Sequence, residues 1–405
     1  MESNILDNID MRQLGKELQE ARKNRGMTQE AAAAVLEVAR TTITAIEKGE
    51  RRIKAGELTR LARAYGRQVS DFVRQRPVFE SFQSQLRGQF RGQFRGPYVP
   101  TAVDEQAIAP SIETLEELCR DYLELEEIMK APLTRKYPPV YEVVRLPPEQ
   151  AAESVAIEER NRLGLGDGPI PILRYLLEQD IGFRLFYLPL PSRFSEMYVY
   201  DEAVGACMAI NSQHPEERRR WSAAHGYAHF LAHRYKAEVA VDNGYRRQPE
   251  SERFADAFAR YFLMPTGGLT RRFNDIRRTR EKVTPADLCT LAHYYGVSLE
   301  ALTRHLEDLK LLPTGTWDTL RDSGFKVREV QRQLGLVEVA APDETLPRRY
   351  QYLALFAFEQ ERITEGQLAR FLRLDRLAAR RAIEVLRENT HGVSDVDTAT
   401  PAPDA

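Results

Sequence analysis

Residues 225–233 read HGYAHFLAH and place His225, His229 and His233 at steps of four. Small and apolar residues surround them from Trp221 onward, so the segment predicts a buried helix with His225 and His229 one turn apart on one face. Two imidazole nitrogens in this arrangement can bind one zinc ion. His233 cannot be a third ligand of the same ion, because eight residues span about 12 Å of helix whereas zinc bonds are about 2 Å long.

A second predicted helix, SERFADAFARYFLMP at residues 251–265, places Glu252 and Asp256 four residues apart and hence on one face. Glu252 can bind the same ion, and Asp256 can accept the ring N–H of a ligand histidine and fix its tautomer. An isolated H-x-x-x-H is more often a pair of ordinary surface or core histidines. The combination with the acidic helix favours a metal site.

Composition limits the remaining possibilities. The 405 residues carry a formal net charge of −2 and are 42% hydrophobic, which predicts two to four compact units. No apolar run reaches the roughly 18 residues needed to cross a membrane, and acids stand where a signal peptide would be basic. We therefore predict a cytoplasmic protein with no membrane partner. The three cysteines lie far apart, so any metal binds histidine and carboxylate.

The N-terminal part predicts a DNA-binding module. Residues 1–76 hold 15 Lys and Arg against 11 Asp and Glu, although the whole chain is slightly acidic. An amphipathic helix at 11–25 ends at Gly26, Thr28 caps QEAAAAVL, and RTTITAIEKG follows after a short turn. Two short helices on a tight turn form a helix-turn-helix. A helical bundle that docks proteins through a basic face is the alternative.

This stretch resembles the XRE (Cro/C1-type) helix-turn-helix family over roughly residues 11–74, through Thr28-Gln29 at the start of helix two and Ile-x-x-Ile-Glu-x-Gly at the end of helix three. The resemblance implies a double-stranded DNA operator and a homodimer on two half-sites. It implies a phosphate contact by Gln29, and base contacts by the outward residues of helix three. The implied DNA-binding residues are Gln29, Arg40, Thr41, Thr44, Arg51, Arg52 and Lys54, the last three on the DNA backbone.

The central segment resembles the ImmA/IrrE family of zinc metallo-endopeptidases over approximately residues 140–312. The matching residues are Trp-Ser-x-Ala-His, the H-x-x-x-H, and Glu-x-x-Ala-Asp-x-Phe-Ala followed by Leu-Met-Pro. The resemblance implies a zincin-like α+β domain with His225, His229 and Glu252 as zinc ligands. It also implies cleavage of a repressor-type transcription factor in response to stress.

Gly226 departs from the motif H-E-x-x-H, in which the residue after the first histidine is the glutamate that activates water. General acid–base catalysis of this kind contributes roughly 10² to 10⁴ in rate. Glycine has no side chain for it, and Glu238, another carboxylate nearby in sequence, has no spacing that recommends it. Gly226 therefore indicates either a natural pseudo-enzyme that keeps its metal or a variant in which the glutamate was replaced.

The overall prediction is a mainly α protein with a small β-sheet in the central domain. It has a five-helix helix-turn-helix domain at 1–76, a flexible linker at 77–110, a spacer or dimer helix at 111–135, and the peptidase-like domain at 140–312. A C-terminal helical domain follows at 313–388 and a disordered tail at 389–405. The linker prediction rests on the R-G-Q-F repeats at 87–96, where glycine at every fourth residue disfavours a helix.

Two segments each allow two functional interpretations. The Arg and Phe of the repeat could contact DNA phosphates or stack on unpaired bases instead of serving as a linker. A second helix-turn-helix-like pattern of amphipathic helices at 364–386 fits either another DNA contact or a dimerisation or packing bundle.

Three functional hypotheses follow. The first is a DNA-binding regulator with a zinc-binding, proteolytically impaired domain. The second is an active zinc endopeptidase that cleaves a repressor-type protein or itself. The third is a regulator whose central domain binds a metabolite and needs no metal.

Overall fold

The computed structural model describes residues 10–67, 69, 72, 79, 81–90, 102–143, 145–241, 249–280, 282–336 and 345–394. Contacts divide the chain into two units, Met1–Pro77 and Val78–Ala405. The predicted fold class is confirmed, because the chain is mainly helical and has one small four-stranded sheet in the second unit. Within the described ranges, no helix combines the length and the apolar character that a bilayer crossing requires.

The first unit is built on a helix-turn-helix. Thr28 caps the second helix by accepting a hydrogen bond from the backbone N–H of Ala31 at 3.1 Å. Glu37, with φ of 58°, makes the left-handed turn before the third helix. The predicted fifth helix would fall mostly outside the described residues. The described helices are α1 (Met11–Asn24), α2 (Gln29–Leu36), α3 (Arg40–Glu47) and α4 (Ala55–Tyr65).

The second unit begins with helices and reaches the sheet near residue 184. Helix α8 continues directly into a π-helical turn at Leu176–Ile181. The elements before the sheet are α5 (Phe82–Phe90), α6 (Ala102–Met129), α7 (Pro148–Arg162) and α8 (Leu173–Tyr175). The strands are β1 (Arg184–Leu188), β2 (Phe194–Asp201), β3 (Gly205–Asn211) and β4 (Glu238–Val241).

The strand order is β1-β3-β2-β4. Strand β1 pairs with β3 in parallel, whereas β2 runs antiparallel to both β3 and β4. These strands form the small sheet that the sequence predicts in the central domain. Strand β4 is short, and its pairing with β2 is interrupted by a register shift between Phe194 and Glu196.

The remaining helices come after β3 in the chain, the first of them before β4, and include the two that carry the predicted ligands. They are α9 (Glu216–His233), α10 (Glu250–Leu263), α11 (Thr266–Thr279), α12 (Pro285–Tyr295), α13 (Leu299–Asp308), α14 (Thr316–Asp322), α15 (Val327–Gln333), α16 (Arg348–Glu359), α17 (Glu365–Phe371) and α18 (Arg376–Ser394).

The sheet separates two hydrophobic cores, since alternate residues of a strand point to opposite faces. On one face, Tyr198 and Met208 pack with residues of α9 and α10. On the other face, Met197 and Cys207 pack with residues of α5, α6 and the C-terminal helices. The metal-site helices therefore cover one side of the sheet.

The structure describes two helices within the segments predicted as linker and spacer. Helix α5 includes the first R-G-Q-F copy, and α6 begins at Ala102, contains Pro110 and spans most of the predicted spacer helix. Phe82, Leu86 and Ile108 are fully buried, so apolar packing outweighs the helix-disfavouring glycine. Residues 91–96, which hold the rest of the repeat, lie outside the described residues.

The C-terminal helices pack onto the two cores of the second unit. Trp317 and Phe325 lie against the first core, while Tyr350 and Leu368 are buried in the second. The separate domain expected at 313–388 is therefore part of this unit. Helix α18 continues to Ser394, so the predicted disordered tail at 389–405 is helical at its start, and residues 395–405 lie outside the described ranges.

Candidate metal centre and nucleic-acid interface

Two neighbouring helices bring the predicted metal ligands together. Helix α9 begins after Pro215 and is buried along almost its whole length from Ser222 to Leu231. Its residues His225 and His229 lie one turn apart and are nearly fully buried, with relative exposures of 7% and 1%. Helix α10 adds Glu252, whose side chain is 22% exposed and leaves the site an opening toward solvent.

The three donor groups form a compact triangle. The Nε2 atoms of His225 and His229 are 3.1 Å apart. The Glu252 carboxylate places Oε2 3.4 Å from His225 Nε2, and Oε1 3.4 Å from His229 Nε2. Ligands at zinc bond lengths of about 2.0–2.1 Å in a tetrahedral arrangement are separated by about 3.3 Å. The donor set and its spacing therefore fit a zinc ion.

Asp256 lies behind the triangle, where the sequence predicts a supporting acid. Its Oδ1 is 3.0 Å from His225 Nδ1. A carboxylate only accepts hydrogen bonds, so the Nδ1–H of His225 donates and Nε2 faces Glu252 and His229. Among the described residues, Nδ1 of His229 has no hydrogen-bond partner.

The electrostatics of the site favour a bound cation. Burial alone would lower the pKa of His225, but Glu196, Asp256 and Glu252 raise it well above its ordinary value. Burial would raise the pKa of Glu252, but the hydrogen bond from His225 and the charges of His225, His229 and Lys236 together outweigh it, so that the pKa falls to about 2. Burial lowers the pKa of His229 to about 3, so this ring is neutral and available as a ligand.

His233, His305 and Glu238 lie outside the triangle. His233 is absent from the group formed by His225, His229 and Glu252, as the helix geometry predicts. Glu238 is on β4 and pairs with Lys236 at 3.1 Å. His305 is fully buried, with its Nε2 3.1 Å from the carbonyl oxygen of Met264.

The sequence analysis missed Glu196 on β2. It is 2% exposed, and it shares its sheet face with Tyr198, toward α9. Burial raises the pKa of Glu196 to about 8. The available signal was an acid between Phe194 and Tyr198, on the strand face that these two aromatic residues occupy.

In the first unit, three of the predicted DNA-binding residues form one cluster. The Oε1 atom of Gln29 accepts hydrogen bonds from Arg40 Nε at 3.4 Å and from Thr44 Oγ1 at 3.3 Å. The amide nitrogen of Gln29 donates to Glu47 at 3.0 Å, which fixes the orientation of this side chain. Arg40 and Thr41 are exposed at the start of α3, where a recognition helix contacts bases.

The other three basic residues follow α3. The Nη2 atom of Arg51 lies 2.8 Å from Glu57 Oε1, and the backbone N–H of Lys54 donates to Glu57 at 2.9 Å. The side chains of Arg52 and Lys54 are exposed. Glu57 therefore orders the loop that would carry the phosphate contacts.

Comparison with known proteins agrees with both predicted domains. Residues 178–307 match the model of the IrrE N-terminal-like domain, peptidase family M78. Residues 18–72 match the model of a helix-turn-helix domain. The chain is a fusion of these two domains. It is a DNA-binding regulator with a protease-like domain, as the sequence predicts.

Two further comparisons add little. No curated protein matches the fusion. Among solved structures, the chain matches that of Bacillus thuringiensis PlcR in complex with the peptide PapR7 and DNA. It is 12% identical, the match covers 96% of this chain and 100% of that chain, and the TM-score is 0.18. At that score the likeness supports no conclusion about this fusion.

Proposed function

We propose that the fusion is a transcription regulator whose IrrE-like domain binds zinc and has lost most of its peptidase activity. The observation that carries the proposal is the triangle of His225, His229 and Glu252, with donor atoms 3.1–3.4 Å apart, directly beside Gly226. The triangle supports metal binding, and Gly226 removes the proton acceptor that the motif supplies. The metal then serves as a structural or sensory element.

Each residue of the site has a separate task. His225, His229 and Glu252 would hold the ion, and Asp256 would orient the ring of His225 through Nδ1. Zinc, when bound, polarises carbonyl groups and lowers the pKa of water. Gly226 offers no group that could take a proton, so the chain loses roughly 10² to 10⁴ in rate relative to a glutamate at this position.

Proteolysis provides a direct test of this assignment. We expect the zinc-loaded protein, incubated alone or with unfolded casein, to keep its intact mass and leave the casein uncut over hours. The reason is that no side chain at position 226 activates water. Mass spectrometry checks the outcome. Zinc-dependent fragments that disappear in a His225→Ala variant would support the active endopeptidase instead.

The DNA-binding role is assigned to the exposed start of α3. Arg40 has a side chain that is 63% exposed, and its partners there, Glu30 and Gln29, are at 3.5 and 3.4 Å. Such long contacts are readily exchanged for a guanine edge. We propose that a homodimer places two such helices on the half-sites of an operator, and that a stress-type signal acts through the metal domain.

Replacing Arg40 should weaken specific binding. We expect Arg40→Ala to lower the affinity for a duplex selected by the protein from random sequence by roughly 10- to 100-fold, because one bidentate base contact is lost. Fluorescence anisotropy measures this. The matched control is Arg63→Ala, an exposed arginine of α4 that should change the affinity little. Equal losses in both variants would place recognition elsewhere than at the start of α3.

A further inference from the structure

The space beside Gly226 is already filled by two side chains from the sheet. A Cβ atom added at Gly226 would lie 2.6 Å from Cε and 3.1 Å from Sδ of Met208. It would also lie 3.0 Å from Oε1 of Glu196. Met208 is on β3 and Glu196 is on β2, so the sheet fills the position toward which a glutamate at 226 would extend.

Glu196 is an unusual residue for this position. It is 2% exposed on the core-facing side of β2. Its Oε2 has no hydrogen-bond partner among the described residues, and a hydrogen bond between the carboxyl group and Ser222 offsets only part of the effect of burial on its pKa. A buried carboxyl oxygen without a partner costs free energy, whether the group is charged or neutral. A residue that destabilises the fold in this way and lies beside His225 indicates a role in the site.

We propose that Glu196 takes the place of the missing motif glutamate, so that residues 196 and 226 form one coupled pair. The strand supplies to the metal site the carboxyl group that α9 no longer supplies. Glu196 is then a positioning residue, whose buried carboxyl group acts through His225, together with Glu252 and Asp256, on a cation at the triangle. Part of this inference, the effect on the cation, rests on the zinc binding proposed above.

The coupling of residues 196 and 226 also predicts that Gly226→Glu alone, which restores the motif, destabilises the protein. A glutamate at 226 would displace the ends of the Met208 and Glu196 side chains within a buried site, and such repacking is destabilising. It would also put a second carboxyl group next to Glu196 in a site where like charges disfavour each other. Shortening Glu196 removes the second carboxyl group and the contact with Glu196 Oε1, whereas the contact with Met208 remains. Residues 196 and 226 should therefore behave non-additively.

Thermal unfolding of the metal-free full-length protein tests the coupling without any dependence on zinc. The cycle consists of the wild type, Gly226→Glu, Glu196→Ala and the double variant. We expect Gly226→Glu to lower the Tm of the second unit by about 5 °C or more in the wild-type background, and by clearly less when Glu196 is alanine. Equal shifts in the two backgrounds would overturn the proposal. If Gly226→Glu folds in neither background, Gly226→Ala in the same two backgrounds gives the same decision.

Zinc affinity, measured by competition with a chelator, tests the effect on the cation. We expect Glu196→Gln, which keeps the size of the side chain, to weaken zinc binding on the order of 10-fold, as losses of supporting carboxylates do. The matched control is Glu202→Gln, an exposed acid just after β2, which should leave the affinity unchanged. Equal affinities of the two variants would overturn this role of Glu196. If the wild type binds no zinc, the proposed function fails, and the Tm cycle still decides whether the pair is coupled.

Discussion

Replacing His229 by alanine is expected to weaken zinc binding by more than roughly 100-fold, beyond the loss that follows removal of a supporting partner. His229 is 1% exposed, and its Nε2 lies within 3.4 Å of both other donor groups. Its low pKa, about 3, leaves the ring neutral, so that a proton does not compete for this nitrogen at pH 7. Isothermal titration or chelator competition gives the affinity.

His233→Ala is the matched control, because it removes the same side chain one turn further along the same helix. The His233 ring is 5.9 Å from the His229 ring between centroids, and it does not belong to the ligand group. Zinc affinity should therefore stay within a few-fold of the wild type. A loss as large as that of His229→Ala would mean that the metal sits elsewhere on α9.

Replacing Arg22 by alanine is expected to destabilise the helix-turn-helix unit by about 3–5 kcal/mol, since it leaves a buried carboxylate without its partner. Arg22 Nε lies 2.6 Å and Nη2 3.0 Å from the Glu47 carboxylate. Both side chains are buried, at 8% and 2% exposure. Hydrogen–deuterium exchange of peptides from residues 11–65 in the full-length protein measures the loss of protection.

Arg51→Ala provides the comparison, because its ion pair with Glu57 is partly exposed and such pairs contribute about 0–1 kcal/mol. Equal losses of protection in the two variants would contradict the account of the buried pair.

The buried pair of Arg22 and Glu47 also makes the stability of the helix-turn-helix unit depend on pH. Burial raises the pKa of Glu47, but hydrogen bonds from Arg22, Gln29 and Gln19 outweigh it and leave the pKa below its ordinary value of 4.5. The stability contributed by Glu47 is therefore full above pH 4.5 and declines as the pH falls below it.

The sequence predicts those parts of the fold that depend on short-range patterns. The helix-turn-helix follows from Thr28, Gly26 and the spacing of apolar residues, and the helix carrying His225 from the i, i+4 rule. The same rule joins Glu252 and Asp256 on one face. Each pair is within one helix, so its geometry follows from the helix repeat alone.

The parts that the sequence did not predict depend on contacts between distant segments. Glu196 is next to Gly226 only because β2 pairs with β3 in the register that places Tyr198 opposite Met208. A change of register by one residue would turn Glu196 to the other face of the sheet. Helix α5 forms despite Gly88 because Phe82 and Leu86 pack in the hydrophobic core on the Met197 face of the sheet. The other residues of this core, such as Met197 and Tyr350, are far from α5 in sequence.

The most direct test of the central claim is the zinc content of the purified protein, measured by elemental analysis after incubation with zinc and removal of the excess. The account predicts about one zinc ion per chain in the wild type, and none above background in a variant that combines His225→Ala with His229→Ala. A wild-type protein that retains no more zinc than this variant would contradict the claim that the site keeps its metal although Gly226 has removed its base.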